Sequence, residues 1–127
     1  MEIATKMVIG HGNPMASLPE KLPQALRDEM APERIGSRLQ LLREAKGMSS
    51  AEMADFLGIN RTYWTRFEKG HRPVTEGVAA LLVDRFGVSL DFIILGRWDR
   101  LPIDIAEEMR SVLEKNSSSK LSPVRAE

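Results

Sequence analysis

The chain contains no cysteine, which excludes a disulfide scaffold and fits a reducing cytosol. No run approaches the roughly 18 apolar residues that a membrane span requires. The N-terminal MEIATKMVIGHGNP offers only a four-residue uncharged patch and no secretory h-region. A cytoplasmic protein without membrane contact is expected, and Asn60-Arg61-Thr62 and Asn116-Ser117-Ser118 are chance matches to a glycosylation pattern. An excess of charge is missing as well: 18 Lys and Arg balance 18 Asp and Glu, without the overall basic footprint usual in nucleic-acid binders. The two histidines, His11 and His71, are far apart with no cysteine to join them, so no metal site is expected. No nucleophile has a base placed near it, and Gly10-His11-Gly12 lacks the Lys-Ser/Thr end of a phosphate loop. Neither catalytic residues nor a cofactor are expected.

What is present is a stretch from Ser49 to Gly70 that reads as two short helices hinged at Gly58. Ser49 with Glu52 three residues on forms a capping signal, and Met53, Ala54 and Leu57 give the helix from Ser50 to Leu57 one apolar stripe. Gly58 supplies a permissive exit, Ile59 plugs the turn, and Asn60 can cap the next helix. Along that helix Trp64 and Phe67 share one face, while Arg61, Thr62, Thr65, Arg66 and Lys69 lie on others. From Asn60 to Arg72 four bases face one acid, a local charge of plus three on an otherwise neutral chain.

The flanks support this pair. At 127 residues the chain has room for one small domain with extensions. Residues 1–19 lack periodicity and are expected to form a mobile arm, and Pro23 to Met30 a short helix against the domain or a partner chain; together residues 1–32 are read as an N-terminal arm. Ile35, Leu39 and Leu42 mark a first core helix that Gly47 ends. Thr75 can cap a helix carrying Val78, Leu81, Leu82 and Phe86, which Gly87 stops; Ser89 can cap another from Leu90 to Leu95, closed by Gly96. Five helices between residues 33 and 96 make a compact all-α bundle. Ile105, Ala106, Met109, Val112 and Leu113 then form an additional amphipathic helix within residues 97–115, expected either to pack back on the domain or to serve as a dimerisation element or protein contact. Residues 116–127 read as a disordered tail.

These residues, IGSRLQLLREAKGMSSAEMADFLGINRTYWTRFEKGHRP continuing to GVSLDFIILG, resemble the Cro and phage-repressor type of helix-turn-helix domain, the XRE family, over about half of the chain. Ala54, Gly58, Ile59, Trp64, Phe67 and Glu68-Lys69-Gly70 carry the likeness. It implies a five-helix repressor-like bundle with flexible termini, whose second motif helix lies in the major groove of double-stranded DNA. Arg61, Thr62 and Arg66 are then the expected base-reading residues, each arginine alternatively holding a phosphate. Ser50, Asn60, Tyr63, Thr65, Lys69 and Arg72 are the expected phosphate contacts. The likeness further implies that an Arg43–Glu68 salt bridge aims the helix and that Trp64 and Phe67 support it from within. Two positions depart from the family: Ser50 replaces the usual glutamine that braces the recognition helix, and Trp64 is bulkier than the common aliphatic.

The implied function is sequence-specific transcriptional regulation, with repression by a homodimer on a near-palindromic operator as the leading expectation. The alternative is an antitoxin or other protein-interaction module. The chain ends about 30 residues after Gly96, which is short for the sensor domains that many longer repressors of this type carry.

Overall fold

The computed structural model describes residues 18–125, with side chains through Ser118; the arm expected over residues 1–19 lies outside the described residues up to Ser17. Seven helices and no strand occur among the described residues: α1 (Gln24–Glu29), α2 (Pro32–Ala45), α3 (Ser50–Leu57), α4 (Arg61–Glu68), α5 (Glu76–Phe86), α6 (Leu90–Leu95) and α7 (Ile103–Arg125). Local chemistry sets many of the boundaries. The side chains of Ser49, Asn60, Thr75 and Ser89 each accept from the backbone N–H three residues on, satisfying donors that a helix start leaves free. Glu52 completes a capping box by accepting from the Ser49 N–H at 2.8 Å. α1 starts one residue later than Pro23 predicts, because Pro23 is extended and stands as the cap.

The fold is arranged around α2. Its buried residues Ile35, Leu39 and Leu42 belong to one core with Met53, Ala54, Trp64, Phe67, Leu82, Val88, Phe92 and Ile93, and α4, α6 and α7 all pack against it. The approach of α4 is unusually close. A Cβ added at Gly36 would stand 2.4 Å from both the Phe67 and Glu68 carbonyl oxygens, so the absence of a side chain there lets two helix backbones nearly touch.

α1 is held on this body by charge. Arg38 is buried at 9% exposure; it donates to the Ile93 carbonyl at 2.9 Å and pairs with Glu29. Burial pushes the Arg38 guanidinium below its ordinary pKa, and Glu29 opposes that shift. Arg38 therefore joins α1, α2 and α6 through a charge that stays satisfied inside the fold.

In the C-terminal region the alternative of packing back on the domain is the one observed, and the core extends past Gly96. Leu101, Ile105, Ala106 and Met109 are buried in it, while Trp98 meets Phe92 edge-on with ring centroids 5.6 Å apart. The apolar face of α7 is thus largely spent within the chain, although Leu113 remains 47% exposed. The helix also continues to Arg125, past the Asn116 boundary where the disordered tail was expected. Its Ser and Asn residues lower helix propensity by only a few tenths of a kcal/mol each relative to alanine, and no glycine or proline interrupts it between Ile103 and Lys120.

Candidate nucleic-acid interface

The turn between α3 and α4 is tight because Gly58 takes φ +72°, a conformation that side chains with a Cβ disfavour. The Ile59 N–H then donates to the Ala54 carbonyl at 2.9 Å, and Asn60 accepts from the Tyr63 N–H at 3.1 Å. Asn60 therefore spends its side-chain oxygen on capping α4.

α4 has two unlike faces. Trp64 and Phe67 are buried, and full burial makes Trp64 a core residue rather than a wedge for bases. Its indole nitrogen has no hydrogen-bond partner among the described residues. The opposite face forms a shallow polar groove of about 330 Å³ lined by Arg61, Thr62, Thr65, Arg66, Lys69 and His71. All three expected base-reading residues share this surface. Tyr63 and Arg72 lie beside it, the Arg72 guanidinium 4.2 Å from the Tyr63 ring centroid, a cation–π arrangement.

The far end of α4 is clamped. Arg43 Nε donates to Glu68 Oε2 at 2.6 Å, Nη2 to Oε1 at 3.2 Å and Nη1 to the Met48 carbonyl at 2.9 Å. One guanidinium thereby joins α2, the loop before α3 and the end of α4, using the planar fork that distinguishes Arg from Lys.

Ser50 and Thr65 do something different from the expected phosphate contact. Thr65 Oγ1 donates to the Arg61 carbonyl at 3.1 Å and lies 3.2 Å from Ser50 Oγ. A hydroxyl has one proton, so Ser50 must be the donor to Thr65. In this arrangement both protons are used inside the protein, and neither hydroxyl can donate to a phosphate oxygen. Ser50 thus ties α3 to α4 where the family glutamine braces.

Arg61 is not a free side chain. Its Nε donates to Asp55 Oδ1 at 3.1 Å and its Nη2 to Oδ2 at 2.6 Å. The hydrogen bond from Arg61 holds the Asp55 carboxyl below its ordinary value, and Asp55 raises the Arg61 guanidinium in turn. Arg66 and Lys69, by contrast, make no ion pair among the described residues. Sequence reasoning missed Asp55 because the pair crosses a turn at a spacing of six, which helical periodicity does not mark. His71 carries no spacing signal for the groove, and its place there follows from the backbone turn at Gly70 after α4. Among the described residues no three His, Asp or Glu side chains gather as metal ligands, and no described helix is long and apolar enough to cross a membrane.

Known proteins show the same motif. Residues 34–91 match the family described as a helix-turn-helix domain. The SPbeta prophage-derived uncharacterized HTH-type transcriptional regulator YonR of Bacillus subtilis (strain 168) is 36% identical over 69 residues, 54% of this chain and 64% of that protein. The HTH-type transcriptional regulator PrpR of Mycobacterium tuberculosis (strain ATCC 25618 / H37Rv) is 31% identical over 72 residues, 57% of this chain and 15% of the relative. RamB, an HTH-type transcriptional regulator of M. tuberculosis (strain CDC 1551 / Oshkosh), is 33% identical over 73 residues, 58% of this chain and 15% of the relative. The aligned region thus spans less than two thirds of YonR and a small part of the two longer regulators. No solved structure matches significantly. With its capped helix pair, glycine turn and polar outer face, the segment 34–91 is a helix-turn-helix domain similar to those of the transcriptional regulators it matches.

Proposed function

We propose that the chain is a sequence-specific transcriptional regulator of the cytoplasm that places α4 in the major groove of double-stranded DNA. The observation that carries this reading is the single groove joining Arg61, Thr62 and Arg66 on the exposed face of a helix whose other face is buried. Arginine offers two donors to guanine O6 and N7, and threonine can bond a base edge or touch a thymine methyl, so that each good bidentate pair discriminates by about 1–3 kcal/mol. Lys69, Arg72 and Tyr63 border the base-reading groove and would hold phosphates to fix register. Because the protein is neutral overall, binding should show a modest salt slope.

Repression follows if such a domain occludes polymerase, and a homodimer would read a near-palindromic operator. The buried face of α7 is already committed to its own chain, which leaves the dimer contact to another surface. An apolar cleft of about 490 Å³ lined by Val74, Thr75, Glu76, Ala79, Ala80, Leu90 and Ile94 is one such surface. The same cleft favours the second reading, a protein-interaction module such as an antitoxin gripping its toxin. The chain is not expected to be an enzyme.

Selection of bound sequences from a random duplex pool tests the proposal, with Arg61→Ala and Arg66→Ala run in parallel. The wild type should enrich one motif at modest salt, and each variant should relax one position of it. A wild type that enriches nothing overturns the regulator reading. A variant that weakens all sequences equally makes that arginine a phosphate contact instead.

A further inference from the structure

The two members of the Asp55–Arg61 pair both stand at unfavourable helix ends. Asp55 lies in the last turn of α3 and Arg61 is the first residue of α4. Unsatisfied carbonyls disfavour a carboxylate at the first place, and free N–H groups disfavour a cation at the second. Neither charge serves its own helix. Neither serves the core, since the side chains are 57% and 65% exposed. The pair instead fixes a direction.

Asp55 accepts from Nε–H and from one Nη2–H, which occupies the side edge of the guanidinium. The end edge keeps its Nη1–H and second Nη2–H donors, the two whose spacing suits guanine O6 and N7. A lone arginine at this exposed position would sample many rotamers and lose that freedom on docking. Held by Asp55, it meets the groove already oriented. We propose that Asp55 is a positioning residue for base recognition, presenting the end-on fork of Arg61 to a guanine and so setting guanine as the base read at that position. The role rests on the DNA-reading function proposed above and adds to it the identity of one base and a residue that never touches DNA.

The test uses the full chain in four forms: wild type, Asp55→Ala, Arg61→Ala and the double variant. Each is selected on a random duplex pool and titrated on a fixed duplex lacking the selected motif, and thermal unfolding is followed for each. The wild type should enrich a guanine at one position of each half-site, and Arg61→Ala should lose that preference. Asp55→Ala should retain the wild-type unfolding midpoint and bind the non-cognate duplex as well or better, since a negative charge near phosphate is gone. Its preference for that same guanine should fall about two- to tenfold while other positions hold. The double variant should lose no more of the preference than Arg61→Ala alone.

If Asp55→Ala tightens cognate and non-cognate binding alike with base preference intact, Asp55 is only a competing counter-charge and the positioning role is overturned. If Arg61 proves to select a base other than guanine, the role is equally overturned while the regulator reading stands. A wild type that enriches no motif removes the regulator reading and the positioning role together.

Discussion

At the C-terminal end of α4, Glu68 meets Arg43 with the two side chains 8% and 15% exposed; at the N-terminal end, Arg61 meets Asp55 with side chains 65% and 57% exposed. Both are two-point arginine–carboxylate contacts, yet their surroundings give them different physical meanings. In the sheltered pair, removing one partner strands a charge that has been taken out of water. In the open pair, water replaces the lost partner and stability is nearly indifferent. One contact holds the helix in the body, and the other orients a side chain that projects from it.

Substitutions separate the two contacts, beginning with the interior. Trp64→Ala removes the largest fully buried side chain of α4 and should cost about 3–5 kcal/mol in denaturant unfolding, enough to unfold a marginal domain. Glu68→Ala should cost about 3 kcal/mol by the same measurement, with less loss in a Glu68→Ala, Arg43→Met double variant that removes both charges. A loss under about 0.5 kcal/mol for the single variant would place the sheltered pair in the same class as exposed ones. Gly36→Ala should cost about 1–3 kcal/mol because a methyl group must push α4 away from α2, and DNA affinity should fall with it if helix placement matters. Ser49→Ala, which breaks the capping box, should cost about 1 kcal/mol.

The smallest effect on folding belongs to the open pair. Asp55→Asn should lower the unfolding midpoint at neutral pH only slightly, because the pair is exposed. Because Arg61 depresses the Asp55 carboxyl, NMR titration should show its pKa rise towards the ordinary value in Arg61→Ala. A depressed folded-state pKa means that the pair is fully formed above the unfolded-state value and is lost as pH falls through the lower folded one. Wild type and Asp55→Asn should therefore differ in pH response only below about pH 4. An Asp55 that titrates alike with and without Arg61 would dissolve the contrast between the two ends.

The parts of this fold legible in the sequence are those governed by near neighbours. Ser49, Asn60, Thr75 and Ser89 act on N–H groups three residues away, so hydroxyl and amide side chains before apolar periodicity marked those starts. The docking of α7 was not decidable in that way, because the same apolar stripe suits an internal or an external partner. What decides it is the space beside α2 together with Trp98 and Leu101, residues outside any periodic pattern. Arg38 was hidden for a related reason: nothing local says that an arginine on a helix will be buried, and its partners Glu29 and Ile93 come from two other elements. In the candidate interface, the family pattern picked out Arg61, Thr62 and Arg66, which share one groove, whereas the proton accounting that turns Ser50 and Thr65 inward needed their oxygens to be seen 3.2 Å apart.

Gly36 bears on how such a protein can change its target. Because the α2 backbone at Gly36 meets the last residues of α4, Phe67 and Glu68, the spacing of the two helices at that end does not depend on the size of an intervening side chain. Arg61, Thr62 and Arg66 all project from the far side of that contact. If α4 reads DNA as proposed, their identities can be changed without disturbing that contact, so the address can be rewritten while the mount stays untouched.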